Sequence, residues 1–332
     1  MVNSKFISYK VLEVRDLTIF SFKRESRVYV VFGGKQFNID ISSIDFSQTY
    51  EEFSYSNKTI QIPNMFEQAV INKANPANFN LTFPAIRESD LHILFNRALD
   101  YKTFDLYVEN GPNIFKLEKC VITTLGFNMS RDKPLSLSVQ GEAIELSLVE
   151  SIPGTVVNRS ANRTYNRLEV TEVLLGGKPS TNISGISIEL STEVNWTSYT
   201  TTNKAIEALS TNRAMYPSDF TVKKRSLSGS FSNYYPEDIN WGLNTSLIIQ
   251  AGEKIGSTIY GFEFNIDEVA FVTGLTTGQI FGQQYNWTMT QNPYFLGQVI
   301  RLIGYANILQ AIQDSWDIDI LDSNNDTLLE SL

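Results

Sequence analysis

The chain has 332 residues, enough for two ordinary domains, and 42% hydrophobic against 19% charged residues marks it as globular. A net charge of -9 excludes a surface built to grip nucleic-acid phosphates, which takes clustered Lys and Arg to release counterions. The single cysteine, Cys120, excludes an intramolecular disulfide framework and a thiolate metal cluster within one chain.

With 21 Phe and 15 Tyr, and Ile, Val and Thr throughout, the composition favours a pleated, half-buried surface over helix. The expected fold class is mainly β, of α+β type. Charges at the N-terminus fall where a signal peptide needs an apolar core. Strands are predicted over residues 5–14, 27–32 and 36–46. In the last of these Ile39, Ile41, Ile44 and Phe46 separate polar residues, the period of a sheet with one wet face. A long polar-aromatic loop follows, free of Gly and Pro until Pro63. Residues 87–100 read differently: Leu91, Leu94, Phe95 and Ala98 form one helical stripe, with Ser89 or Asp90 as a cap. Strands resume over 103–109, 113–128 and 135–146, with Asn110-Gly111 as a hairpin turn.

Pro153-Gly154 breaks the pattern, so the first domain is placed at 1–152 and a linker at 153–165. The second domain, 166–293, repeats the plan with strands over 168–175, 184–194, 227–234, 245–250, 258–273 and 283–290 and a poorer helix near 236–243. A second long loop follows Leu190. Beyond Pro293 the repeat ends and residues 294–332 are expected as a C-terminal helix and acidic tail. Val299, Leu302, Ile303, Ala306, Leu309 and Ile312 would form the buried side of a helix over 297–316. Gln298, Arg301, Asn307 and Gln310 make this stretch too polar for a membrane span.

The two domains look like one unit written twice. Gly33-Gly34-Lys35 and Gly176-Gly177-Lys178 each open a strand-like run, and later segments recur in order: 78–90 answers to 226–238, and 115–127 to 264–276.

Chemistry is sparse. His92 lies in the helical pattern, where a solvated or capping role is expected. The carboxylate pairs Glu51/Glu52, Glu142/Glu145 and Glu263/Asp267 match the polar face of a strand as well as any acid–base pair. Asp322, Asn324 and Asp326 resemble the start of a calcium loop, but Thr327 stands where glycine is needed and the chain ends before the bidentate glutamate. The expectation is no enzyme, with no catalytic residue, metal ligand or cofactor. What stands out are the two long loops, whose aromatics fit docking on another surface. A longer hairpin packing on its own sheet is the alternative for these segments.

The GGK-strand-loop unit, its closing strand pairs and its doubling resemble, over about residues 1–293, the tail-tube proteins of bacteriophages in the siphophage form that fuses two tube domains. The resemblance implies two tandem β-sandwich or half-barrel domains with one helix each, and three chains per pseudo-six-fold ring. The rings stack into a tube. It implies Tyr50, Phe53, Tyr55, Asn57, Trp196, Tyr199 and Asn203 as contacts between rings or subunits. Asp40, Asp45, Glu189, Glu263 and Asp267 are the candidates for an acidic lumen through which DNA passes as cargo. The implied partners are further copies of the chain and tape-measure, tail-tip or terminator proteins, with no membrane. The setting is the virion, assembled in host cytoplasm. A hub or tube-end protein with the same doubled fold is one alternative. Another is a two-module β-sandwich receptor or carbohydrate binder, with Trp196, Trp241 and Trp287 as stacking platforms.

Overall fold

The computed structural model describes residues 26–55, 68–83, 94, 97–130, 133–157, 169–180, 183–198, 216–234, 245–255, 258–277, 281–290 and 299–303. They are almost entirely strands, as the composition led us to expect. In the first half these are β1 (Arg27–Phe32), β2 (Lys35–Ile39), β3 (Ser43–Ser47), β4 (Tyr50–Tyr55), β5 (Gln68–Ala74) and β6 (Ala77–Phe83). Then come β7 (Phe104–Asn110), β8 (Asn113–Ser130), β9 (Lys133–Ala143) and β10 (Glu145–Val149). A short β11 (Thr155–Val156) leads to the second half: β12 (Glu169–Leu175), β13 (Lys178–Pro179), β14 (Ile183–Ser198) and β15 (Pro217–Tyr234). It closes with β16 (Thr245–Ile255), β17 (Thr258–Thr277), β18 (Phe281–Met289) and β19 (Ile300–Ile303). Leu94 and residues 97–100 are helical, within the predicted helix.

Apart from the short parallel pairing of β11 with β2, every pairing of the first half recurs in the second. The GGK hairpins β1–β2 and β12–β13 correspond, each with both glycines at positive φ. So do β1–β7 and β12–β16, β3–β6 and β14–β15, β6–β9 and β15–β18. The long strands β8 and β17 play the same part. The N-terminal half of β8 runs between β7 and β10, and its C-terminal half pairs with β9. Likewise β17 runs between β16 and β19, then beside β18. Even the irregularities coincide, since β7–β8 slips between Phe104 and Leu106 and β16–β17 between Thr245 and Leu247.

These ladders fix the alignment of the repeats. The row Ile122–Gly141–Phe79–Phe46 corresponds to Phe271–Trp287–Gly229–Ile188. The sequence alignment of 115–127 with 264–276 therefore holds up to Ile122. An extra residue at the β8 bulge between Ile122 and Thr124 then moves it by one. The alignment of 78–90 with 226–238 is displaced by two, because Phe79 answers to Gly229. A shift of two keeps every side chain on its face, so apolar alternation cannot detect it.

That row also exchanges large for small. In the first half the ring of Phe79 covers Gly141, where an added Cβ would collide with the ring and with the Val121 carbonyl. In the second, Trp287 covers Gly229, whose Cβ would meet the indole at 2.7 Å. The aromatic has moved to the neighbouring strand and the glycine has moved opposite it.

Other expectations shift. The strand expected over 36–46 is two strands, turning at residues 40–42. The described parts of the segments expected as long loops, up to Tyr55 and Ser198, are mostly strand: β4 pairs with β5 in a separate two-stranded arm, and β14 continues through Trp196 along β15. Their aromatic and β-branched residues pair instead of looping. Ile300–Ile303, inside the stretch expected as a helix, is a strand. Its counterpart is β10, and the edge of β17 at Gly261–Phe264 supplies the ladder that favours it, with Val299 and Ile300 buried. The beginning of the expected linker is also structured, since Thr155 N donates to the Gly34 carbonyl (2.9 Å) and Val157 N to that of Gln36 (3.0 Å). The strand expected at 5–14 and the helix expected at 236–243 lie outside the described residues.

One hydrophobic core runs through both halves. The shared sheet runs β3-β6-β9-β8-β14-β15-β18-β17, four strands from each half, through the C-terminal parts of β8 and β17. Its apolar face carries Ile44, Leu81, Val139, Leu125, Ile188 and Phe231, and it packs against strands of both halves. Phe127 of the first half meets Phe264 of the second edge-on, with centroids 5.7 Å apart.

Candidate assembly site

Three features of the shared sheet point to assembly: an internal seam between the halves, two outer edges, and a wet face. The seam is the antiparallel pairing of β8 with β14, from Ser130 opposite Gly185 to Thr124 opposite Ser191. Its core side aligns Met129 with Ile186, Phe127 with Ile188 and Leu125 with Leu190, all buried. At roughly 25 cal/mol per Å² of apolar surface, such rows give a seam the character of a domain interior.

Side chains tie the seam further. Arg225 on β15 reaches the end of the first half's helix and donates to the carbonyls of Ala98 and Leu99, the latter at 3.0 Å. Its Nε donates to Thr192 Oγ1 (3.1 Å), and the guanidinium lies 4.2 Å from the centroid of the Tyr101 ring. This placement satisfies orphan carbonyls at a helix C-terminus with a cation. Burial lowers the Arg225 pKa, so the hydrogen bonds and the ring offset a desolvation cost. Lys119 of the first half pairs with Asp219 of the second (3.1 Å) and donates to the Ser218 carbonyl (3.4 Å). Trp196 Nε1 of the second half donates to Glu142 of the first.

The edges lie at opposite ends of the same sheet. Among the described strands, β3 has a ladder partner only in β6, and β17 beyond Val269 only in β18. Val272 is 68% exposed, and Thr273 and Gly274 are exposed beside it.

The face opposite the core is polar from β3 to β18, and at its β17 edge Ala270, the exposed Val272 and Gly274 share it. It carries Asp45 and Ser47, Asn78 and Asn80, Gln140 and Glu142, then Ser187 and Glu189, Ser228 and Ser230, and Asn286 and Thr288. Short uncharged side chains dominate, with acids at intervals. An open groove of about 520 Å³ lies over the first half of this face, lined by Asp45, Ser47, Asn78, Asn80, Gln140 and Glu142 among others.

Each arm leaves the sheet at a bulge, between Glu51 and Glu52 on β4 and between Glu193 and Val194 on β14. A lysine pairs with the acid at each: Lys73 with Glu51 (2.9 Å) and Lys223 with Glu193 (3.1 Å). Gln48 anchors the first arm, donating to the carbonyls of Asn75 and Ile144 and accepting from Leu146 N at 3.0 Å.

The residues singled out from sequence separate. Tyr50, Phe53 and Tyr55 lie on β4 of the first arm. Trp196 lies on the second arm, half-buried against Phe220 at 5.2 Å between centroids. Asn57, Tyr199 and Asn203 are outside the described residues. Asp45 and Glu189 share the wet face, and Asp40 is exposed at the turn between β2 and β3. Glu263 is buried in the β16–β17–β19 ladder and accepts from Gln250 (2.6 Å), and Asp267 lies on the same strand. Neither strand position belongs to the shared sheet. Trp287 is 2% exposed, which removes it as a stacking platform, and Trp241 is outside the described residues. Cys120 is buried, its thiol pushed well up by desolvation. The seam residues Arg225, Lys119 and Asp219 were not found from sequence, where they read as ordinary strand polars. No helix among the described residues is long and apolar enough to cross a membrane.

Residues 18–98, about a quarter of the chain, match the family model of the Bacteriophage Baseplate Tube Protein Family. The match covers the GGK hairpin, the first arm and part of the helix. It supports a structural component of a phage tail or baseplate, hence of the virion, that assembles with other tail or baseplate proteins. Comparison with curated proteins finds no match.

Proposed function

We propose that this chain is a tube subunit of a phage tail or baseplate. Three copies close a ring of six repeat units around a channel that passes DNA, and the rings stack through the arms. The role is structural and needs no catalytic group or cofactor. The observation that carries the reading is the internal seam. The two repeats are joined head to tail, β8 of one to the β3-equivalent of the next, which leaves the complementary edges β3 and β17 at the two ends. A head-to-tail contact that repeats by rotation closes into a ring, and closure pairs strand edges that otherwise template aggregation. The wet face then lines the bore, where sparse acids repel DNA weakly and keep it from sticking.

The test is mass photometry with negative-stain microscopy on the full chain across protein and salt concentrations. Rings of three chains are expected, and dispersed monomers under all conditions overturn the reading. A second reading, a baseplate-end tube ring that does not polymerise, is favoured by the baseplate description of the matching family. Single rings without stacks would select it.

A further inference from the structure

We propose that adjacent copies join by antiparallel pairing of β17 with β3 of the next copy in one defined register, Thr49 opposite Val272 and Ser47 opposite Gly274. The inference rests on the ring reading above and specifies its interface.

The register follows from the ladder equivalences. Across the internal seam Ser191 stands opposite Thr124 and Glu189 opposite Gly126. By its partners in the sheet, Thr124 corresponds to Val272 and Gly126 to Gly274, because Gln140 corresponds to Asn286. The rows Phe46–Phe79 and Ile188–Gly229 match Ser47 with Glu189 and Thr49 with Ser191. Transferring the internal pairing to the outer edges leaves no free choice of register. A slip by one residue would turn the apolar face of the next copy into the channel. Among the described residues the edges are open: Thr49 and Gly274 are exposed and Val272 is 68% exposed. A Cβ added at Gly274 meets nothing within 4 Å.

The same equivalences make the seam between copies different in kind from the internal one. Arg225 corresponds to Ala74, Lys119 to Glu268, Asp219 to Gln68, Trp196 to Ser54 and Glu142 to Thr288. The arginine, the ion pair and the indole donor that tie the internal seam are thus each replaced by a different residue type at the outer one. The core-side row opposite Leu125–Leu190 becomes Thr273–Gln48. Copies therefore meet through backbone ladders and a thinner apolar row, and a single outer seam is weak until the ring closes.

The test uses two double variants of the full chain, Thr49→Cys with Val272→Cys and Ser47→Cys with Gly274→Cys. A displaced pair, Ser43→Cys with Val272→Cys, is the control. The native Cys120 is buried and gives little background. Mild oxidation of the in-register variants is expected to yield reducible two- and three-chain bands at least about tenfold above the displaced pair. On the unmodified chain, hydrogen exchange is expected to show residues 43–49 and 271–277 gaining at least about tenfold protection on assembly, while 183–191 is protected throughout. If the unmodified chain forms three-chain rings but the displaced pair crosslinks as well, or neither segment gains protection, this interface is wrong and the ring reading stands. If no rings form under any condition, the ring reading fails and this inference with it.

Discussion

The internal seam and the pair of outer edges are the same place in the repeat, met twice in one chain. At the seam, Arg225 closes a helix end, Lys119 meets Asp219 and Trp196 reaches Glu142. At the edges the same positions hold Ala74, Glu268, Gln68, Ser54 and Thr288. The strong side-chain ties therefore lie where the two halves of one chain meet, and on the ring reading proposed above the outer edges would meet by backbone pairing. A contact made once and kept tolerates dense side-chain specificity, whereas one that forms during assembly gains from being shallow.

The comparison can be broken in graded steps, each read by urea denaturation of the full chain. The largest effect is expected from Leu190→Ala in the seam's buried row, a loss of about 3 kcal/mol. A loss below about 1 kcal/mol would mean that the seam is not a packed interior. Gly229→Ala drives a methyl into Trp287 and the Ser187 carbonyl and should cost about 2 kcal/mol. Tolerance there would remove the large-for-small exchange from the account. Arg225→Ala leaves two helix-end carbonyls without a cation and should cost about 1.5 kcal/mol. A cost below about 0.5 kcal/mol, that of an ordinary surface substitution, would mean that Arg225 does not tie the seam. Glu51→Gln and Glu193→Gln remove half-exposed ion pairs and should each cost about 0.3 kcal/mol, fading in high salt.

The smallest effect concerns pH. Hydrogen bonds from Lys119 and the Phe220 amide, with the Lys119 charge, hold Asp219 below the usual carboxylate range. A depressed folded pKa contributes stability above the unfolded value that is lost as pH falls through the folded one. The difference between wild type and Asp219→Asn should therefore be constant near neutrality and vanish below the ordinary Asp range, about 3.9. A difference that grows in acid would reverse the assignment.

The fold class and most strands were legible because period-2 alternation survives in Gln36–Phe46 and Tyr285–Met289, and the doubling because each GGK marks a hairpin with two positive-φ glycines. The arms were read as loops since their turn residues lie far downstream, and polar-aromatic composition does not separate a loop from a strand paired outside the core. The strand at Ile300–Ile303 was hidden because its apolar spacing also fits a helix. Only the vacant edge of β17 decides between them. The seam was invisible for a related reason: its register depends on which strand of one half meets which strand of the other.

The exchange of Phe79 over Gly141 for Trp287 over Gly229 also bears on how the chain avoids misfolding. Two copies of one strand plan on a single polypeptide invite each strand to pair with the wrong repeat. If β15 paired with β9, glycine would face glycine across a void. If β6 paired with β18, phenylalanine and tryptophan would contend for one space. Each repeat thus carries a size code that only its own partner completes.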